Sequence, residues 1–135
     1  MKLFKILAVL ILSILSTNLY AQGVGIPKEN WGLGFGNSAR FDGLRFNFID
    51  RNIDEINGMN FTVWFEKDFA DYPGTFNGIG IGVPMAAGTA YRNGFSVGIF
   101  GVGAGKRLTG LNIAGLAVGA SRDVAGVNLA GLAVG

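Results

Sequence analysis

Neither cysteine nor histidine occurs anywhere in this 135-residue chain. The first absence excludes a disulfide framework, a lipid-modified cysteine and a thiol nucleophile. The second removes the commonest general base and the commonest metal ligand together. Charge is scarce as well: eleven Lys and Arg against nine Asp and Glu give a formal net charge of +2. Two of those cations, Lys2 and Lys5, stand at the extreme N-terminus, and without them the balance is nine against nine. The small positive excess is thus a targeting signal and not a nucleic-acid footprint.

The opening "MKLFKILAVLILSILSTNLYAQ" has the order of a secretory signal peptide: a positive n-region, an apolar run from Ile6 to Leu15, and a small residue, Ala21, before the cut. The run is about half the ~20 residues that a spanning helix needs. Residues 1–21 are expected to be a leader, and the chain is expected to be exported to the periplasm, outer membrane or cell surface of a Gram-negative bacterium. The rest is long enough for one domain.

What is abundant is glycine, 23 residues of it, in a chain half of which is hydrophobic. The glycines do not fall at every third position, which excludes collagen. They mark a longer period. "GIGIGVPMAA", "GFSVGIFGVG", "GLNIAGLAVG" and "GVNLAGLAVG" open at Gly78, Gly94, Gly110 and Gly126, each 16 residues after the last. Upstream, "GMNFTVWF" from Gly58 and "GLRFNF" from Gly43 repeat the opening at intervals of 20 and 15. The residues in front of these glycines rhyme too: "FDG", "ING", "FNG", "RNG", "LTG", "VAG".

A period of this length means stacked repeat units. Each unit alternates for a few residues and then slips at an Ala-Gly or Gly-Gly-like bend, a place that glycine permits. The expected fold is all-β: a β-solenoid-like stack of 16-residue glycine-rich repeats over 78–135, truncated at the C-terminus, behind an N-terminal β-hairpin cap region over 22–77. Leu111, Ile113, Leu116 and Val118 are expected to face inward, with Ile79, Phe95, Leu111 and Val127 in one inner column and Ile81, Val97, Ile113 and Leu129 in the next. Asn112 over Asn128 is expected to form an amide ladder. The alternative architecture is an antiparallel transmembrane β-barrel, but barrel strands alternate apolar with polar residues between aromatic girdles. No aromatic residue follows Phe100.

Catalytic and binding motifs are sparse. "GVGAGKR" lacks the first glycine of a phosphate loop, where Phe100 stands, and its final hydroxyl, where Arg107 stands. "GLGFG" and "GIGIG" fail the dinucleotide spacing at Asn37 and Val83. Asp50, Asn52 and Asp54 alternate as calcium-loop ligands do, yet Glu55 replaces the turn glycine and Phe61 the bidentate glutamate. Asp54 with Glu55, or Glu66 with Asp68, supplies the residue types of a carboxylate pair without fixing their separation. Trp31, Trp64, Tyr72 and Tyr91 are expected to pack in the cap rather than to form a carbohydrate platform. No catalytic, cofactor-binding or metal-binding residue is assigned, and no cofactor is expected.

The units "GLNIAGLAVGA" and "GVNLAGLAVG" resemble those of exported bacterial surface-repeat proteins, the Leptospira-type surface-repeat proteins and glycine-rich 16-residue repeat proteins of Bacteroidetes. The upstream "FDGLRFNFIDRNIDEINGMNFTVW" is similar to the leading segment of the latter. The resemblance implies a surface protein without a defined activity. Lipid anchoring does not carry over, because this chain has no lipobox cysteine. The expected function is therefore a non-enzymatic exported surface or structural repeat protein, adhesive or scaffolding, whose partners are outer-membrane or cell-surface components and not nucleic acid. The alternatives are a component of an outer-membrane barrel and an exported hydrolase using carboxylates between residues 42 and 71.

Overall fold

The computed structural model describes residues 23–64 and 73–135, and the leader, Glu66, Asp68 and Tyr72 lie outside the described residues. A short hairpin, β1 (Val24–Lys28) and β2 (Trp31–Phe35), opens the fold. From there the chain winds. β3 (Arg40–Ile49), β4 (Glu55–Trp64), β5 (Thr75–Gly82), β7 (Tyr91–Gly98), β9 (Arg107–Ala114) and β11 (Asp123–Ala130) lie side by side, each parallel to the last. With β1 and β2 they form an eight-stranded sheet. The short strands β6 (Met85–Ala86), β8 (Gly101–Ala104), β10 (Ala117–Ala120) and β12 (Ala133–Val134) form a second parallel sheet of four. A chain that alternates between two parallel sheets, one strand of each per circuit, is a β-solenoid. It is not a barrel: the large sheet is open, with β1 and β11 at its edges, and membrane barrels are antiparallel.

The sequence period sets the register. Gly43, Gly58, Gly78, Gly94, Gly110 and Gly126 stack directly on one another, including the pairs separated by 15 and 20 residues. All six have positive φ, between 95° and 134°. A Cβ at Gly94 would overlap the carbonyl oxygen of Gly78, and the same overlap recurs at each step up the column. Only glycine allows the coils to close to strand spacing here. Residues 40–64 pair in parallel with the repeat strands, so the repeat register runs upstream of Gly78 and the hairpin proper is confined to 24–35.

The columns form as the period requires, but their faces are reversed. Ile79, Phe95, Leu111 and Val127 do stack, as do Ile81, Val97, Ile113 and Leu129, and they stack on the outside of the large sheet. Leu111 is 38% exposed and Leu116, in the turn after β9, is 45% exposed, whereas Val118 is 1% exposed. Of the four side chains expected inside, Val118 alone points into the core.

The interior is instead lined by the positions between them. One inward row on the large sheet reads Phe41, Ile56, Phe76, Arg92, Leu108, Val124. Another begins with Asn47 and Thr62 and continues Gly82, Gly98, Ala114, Ala130. Facing them from the small sheet are Ala86, Val102 and Val118, with Ala104 beyond. The reason is volume. The turn from the large sheet to the small one is so tight that a Cβ on Gly98 would overlap the Gly101 carbonyl oxygen. Near that turn the sheets leave room for glycine, alanine and valine; Leu108 and the phenylalanines sit at the wider end. Leu111 and Ile113 point away from this narrow end and lie outside.

Candidate interaction face

The outer face of the large sheet follows from this reversal. Its apolar side chains form two rows of eight across the strands. One runs Ile26, Leu33, Leu44, Met59, Ile79, Phe95, Leu111, Val127, and the other Val24, Phe35, Phe46, Phe61, Ile81, Val97, Ile113, Leu129. Each side chain is covered by its neighbours along the row and open above. Phe35, Phe46 and Phe61 stack as rings, with centroids 5.8 and 5.4 Å apart and planes 18° and 20° from parallel. Exposure reaches 64% at Val24 and 58% at Val127, at the two ends of the face. Strands 4.7–4.9 Å apart make the face about 34 Å long, and the two rows with a partial third of Phe48, Val63, Val83 and Ile99, all exposed, give about 500–650 Å² of apolar surface. That is at or above the largest apolar patch of an ordinary monomer, and such patches mark interaction surfaces.

A polar border lies along one side. At the position before each stacked glycine, Asn57 Nδ2 donates to Asp42 Oδ1 (2.8 Å), Asn77 Nδ2 to Asn57 Oδ1 (2.9 Å), Asn93 Nδ2 to Asn77 Oδ1 (2.9 Å), and Thr109 Oγ1 to Asn93 Oδ1 (2.6 Å). This is one unbroken chain of donors, pointing the same way up the stack. Sequence reasoning did not assign it, although the rhyme of Asp, Asn, Asn, Asn and Thr before the glycines is its signature. Two residues further out is a charged column, Arg40, Glu55, Thr75, Tyr91, Arg107, Asp123, in register. Exposed ion pairs link Arg40 to Asp54 (3.5 Å) and Arg107 to Asp123 (3.3 Å).

Inside, a second polar system closes on itself. The Asp50 carboxylate pairs with Arg45 and accepts from Asn47 Nδ2 (2.9 Å), Asn60 Nδ2 (2.9 Å) and Thr62 Oγ1 (2.7 Å). Arg45 also donates from Nε to Asn60 Oδ1 (2.9 Å) and from Nη1 to the Ser38 carbonyl (2.9 Å). Burial pushes the Arg45 pKa down, and the neighbouring Asp50 opposes that shift. Arg92, also buried, donates from Nε to Ser96 Oγ (2.9 Å) and lies 4.3 Å from the centre of the Phe76 ring. Its pKa is lowered to about 10, first by desolvation; Asp50 raises it and Arg45 lowers it further. Asn112 Nδ2 donates to Asn128 Oδ1 (2.9 Å), which is the expected amide ladder, placed on the inner side of the sheet.

The other sequence candidates do not assemble. Asp50 is buried with its oxygens engaged, whereas Asp54 is exposed on Arg40 and Asn52 is exposed at φ 49°, so the three do not share a centre. Among the described residues no group of three or more acidic side chains is placed to hold a metal ion. Glu55 accepts from Asn57 (3.2 Å) on the sheet surface. "GVGAGKR" is the strand β8 and a turn, with Lys106 5.7 Å from the Tyr91 ring centre. Trp31 and Trp64 are 56% and 52% exposed and sit toward opposite ends of their strands, so neither is packed away in a cap. A depression of about 530 Å³ has a floor of mostly small residues on the four-stranded sheet. Comparison with protein-family models, curated proteins and solved structures finds no match.

Proposed function

We propose that the chain is an exported, non-enzymatic structural element of the bacterial cell surface, one that scaffolds or adheres through the outer face of its large sheet. The observation that carries this reading is the pair of apolar rows left outside a fully stacked solenoid. Leaving a large aliphatic or aromatic side chain half exposed forgoes about 1 kcal/mol of burial at each position. Ten of the sixteen positions are more than a third exposed, in register on one face, which is consistent with a surface that is covered in use. Two features of the sequence support export and setting: the leader-like N-terminus, and the resemblance of the repeats to exported surface-repeat proteins.

Cell fractionation of the producing bacterium, with mass spectrometry of the N-terminus, tests the reading. Cleavage after Ala21 and recovery of the chain in the envelope are the expected results. Recovery of an uncleaved chain in the cytoplasm would remove the basis for a surface role.

A further inference from the structure

We infer that the outer face of the large sheet pairs with the same face of a second copy, the two stacks running antiparallel about a two-fold axis along the strands. This rests on reading that face as the working surface, and it names the partner. Three observations favour a second copy over other occupants.

The first is size. With six of the eight strands of each copy overlapping, β3 to β11, the two faces cover about 750–1,000 Å² in total, the size of a weak, reversible pair. The second is form. Both faces are in-register ladders with the same strand spacing, and two sheets pack face to face about 10 Å apart with strands nearly aligned.

The third is charge. A two-fold axis along the strands brings the bordering column of one copy against that of the other in reverse order. Arg40 then faces Asp123 of the second copy, Glu55 faces Arg107, and Thr75 faces Tyr91. Read in either direction, each cation meets an anion and the neutral middle meets itself. A two-fold axis along the stack would instead set this column against the opposite, apolar side of the face. A lipid surface has no use for a border of alternating sign, and the border shows no basic excess that would attract anionic headgroups.

Sedimentation of the purified full chain over a range of concentrations, with thermal melting of each variant, tests the pairing. The expected result is a dimer that Ile79→Lys converts to a monomer with an unchanged melt, since position 79 points outward in the middle of the face. Glu55→Arg is expected to raise the dimer dissociation constant several-fold, and the combination Glu55→Arg with Arg107→Glu to restore it. Should Ile79→Lys not fold, the chain's lack of cysteine permits a second route. Thr75→Cys and Tyr91→Cys proteins, mixed and treated with a short bis-maleimide, should give a cross-linked heterodimer. A chain that is monomeric throughout overturns the proposal, as does a dimer indifferent to Ile79→Lys or to the charge exchange, or binding to lipid vesicles by a chain that does not self-associate. A monomer recovered from the envelope would overturn the pairing while leaving the structural role in place; a cytoplasmic dimer would do the reverse.

Discussion

The guanidinium of Arg92 occupies the space that a side chain at position 80 would take: a Cβ built on Gly80 would overlap Arg92 Nη2. The two residues belong to different coils and to different inward rows. Position 80 stands in register with Arg45 and Asn60 below it and Ser96, Asn112 and Asn128 above. Five coils thus place a polar side chain in that row, and the sixth leaves it empty for an arginine arriving from the row beside it. Gly80→Ala should cost about 1–3 kcal/mol, because the buried guanidinium must shift to admit the added methyl group. Combining it with Arg92→Leu should recover most of that loss, and urea unfolding of the two single variants and the double variant measures the coupling.

Arg92 stands alone among Phe41, Ile56, Phe76, Leu108 and Val124 in its own row. Replacing a buried ion by an apolar side chain of similar size is often neutral or stabilising, so Arg92→Leu should leave stability unchanged or raise it near neutral pH. The pH dependence gives a sharper signature. The folded chain holds the Arg92 proton less tightly than the unfolded chain, its pKa lowered from the ordinary arginine range to about 10. The energetic cost of burying this cation is therefore fully present below about pH 10 and is relieved as pH rises above it. Relative to Arg92→Leu, the wild type should gain up to about 1.4 kcal/mol per pH unit above pH 10. A stability difference that stays flat into that range would place the arginine in water.

Much of the fold was legible before the structure because the period is a register. Counting back from Gly126 identifies six glycines of the stacked column, including Gly58 and Gly43 at their irregular intervals, and misses Gly32, which lies in register with Gly43 at φ 105°. The facing of the columns was not legible. Period-two alternation tells which residues share a face, but it does not tell which face is inside. Large aliphatic side chains ordinarily settle that question, and here volume overrode them. The clue was in the sequence, in the Ala, Gly and Val that fill the alternate positions of "AGLAVGA", since a narrow interior takes small residues. The buried Arg45–Asp50 cluster was harder to read. Asp50, Asn52 and Asp54 look like one motif in sequence, yet the chain turns between them and sends Asp50 inward and Asp54 out.

The glycine column should respond to substitution in proportion to its geometry. Gly94 has φ +114°, and a Cβ there would overlap the carbonyl oxygen of Gly78, so Gly94→Ala meets both backbone strain and a collision with main chain. A loss of more than about 2 kcal/mol is expected, since a single strained backbone conformation alone costs about 1–3 kcal/mol. Arg122→Ala, on an exposed corner, should stay within about 0.5 kcal/mol of wild type. Thermal melts of the two variants provide the comparison, and equal shifts would mean that the coils are not stacked through this column.

The reversed columns make a last prediction that separates this fold from the one the apolar pattern suggests. Val118 is 1% exposed and packs with Val102, Leu108 and Ala114 in the core between the two sheets, where a carboxylate would have no cation beside it. Leu116, two residues earlier on the same circuit, is 45% exposed in the turn after β9. Val118→Asp therefore buries an unpaired charge, which either stays ionised at a cost of several kcal/mol or takes up a proton at a similar penalty near neutral pH. In a domain whose total stability is about 5–15 kcal/mol, that loss should abolish or nearly abolish cooperative unfolding. Leu116→Asp gives up only part of one side chain's burial, about 1 kcal/mol, and should fold. Circular dichroism melts of the two variants decide the matter. If Leu116→Asp proves the more damaging, the large side chains are inside after all and the outer apolar face does not exist.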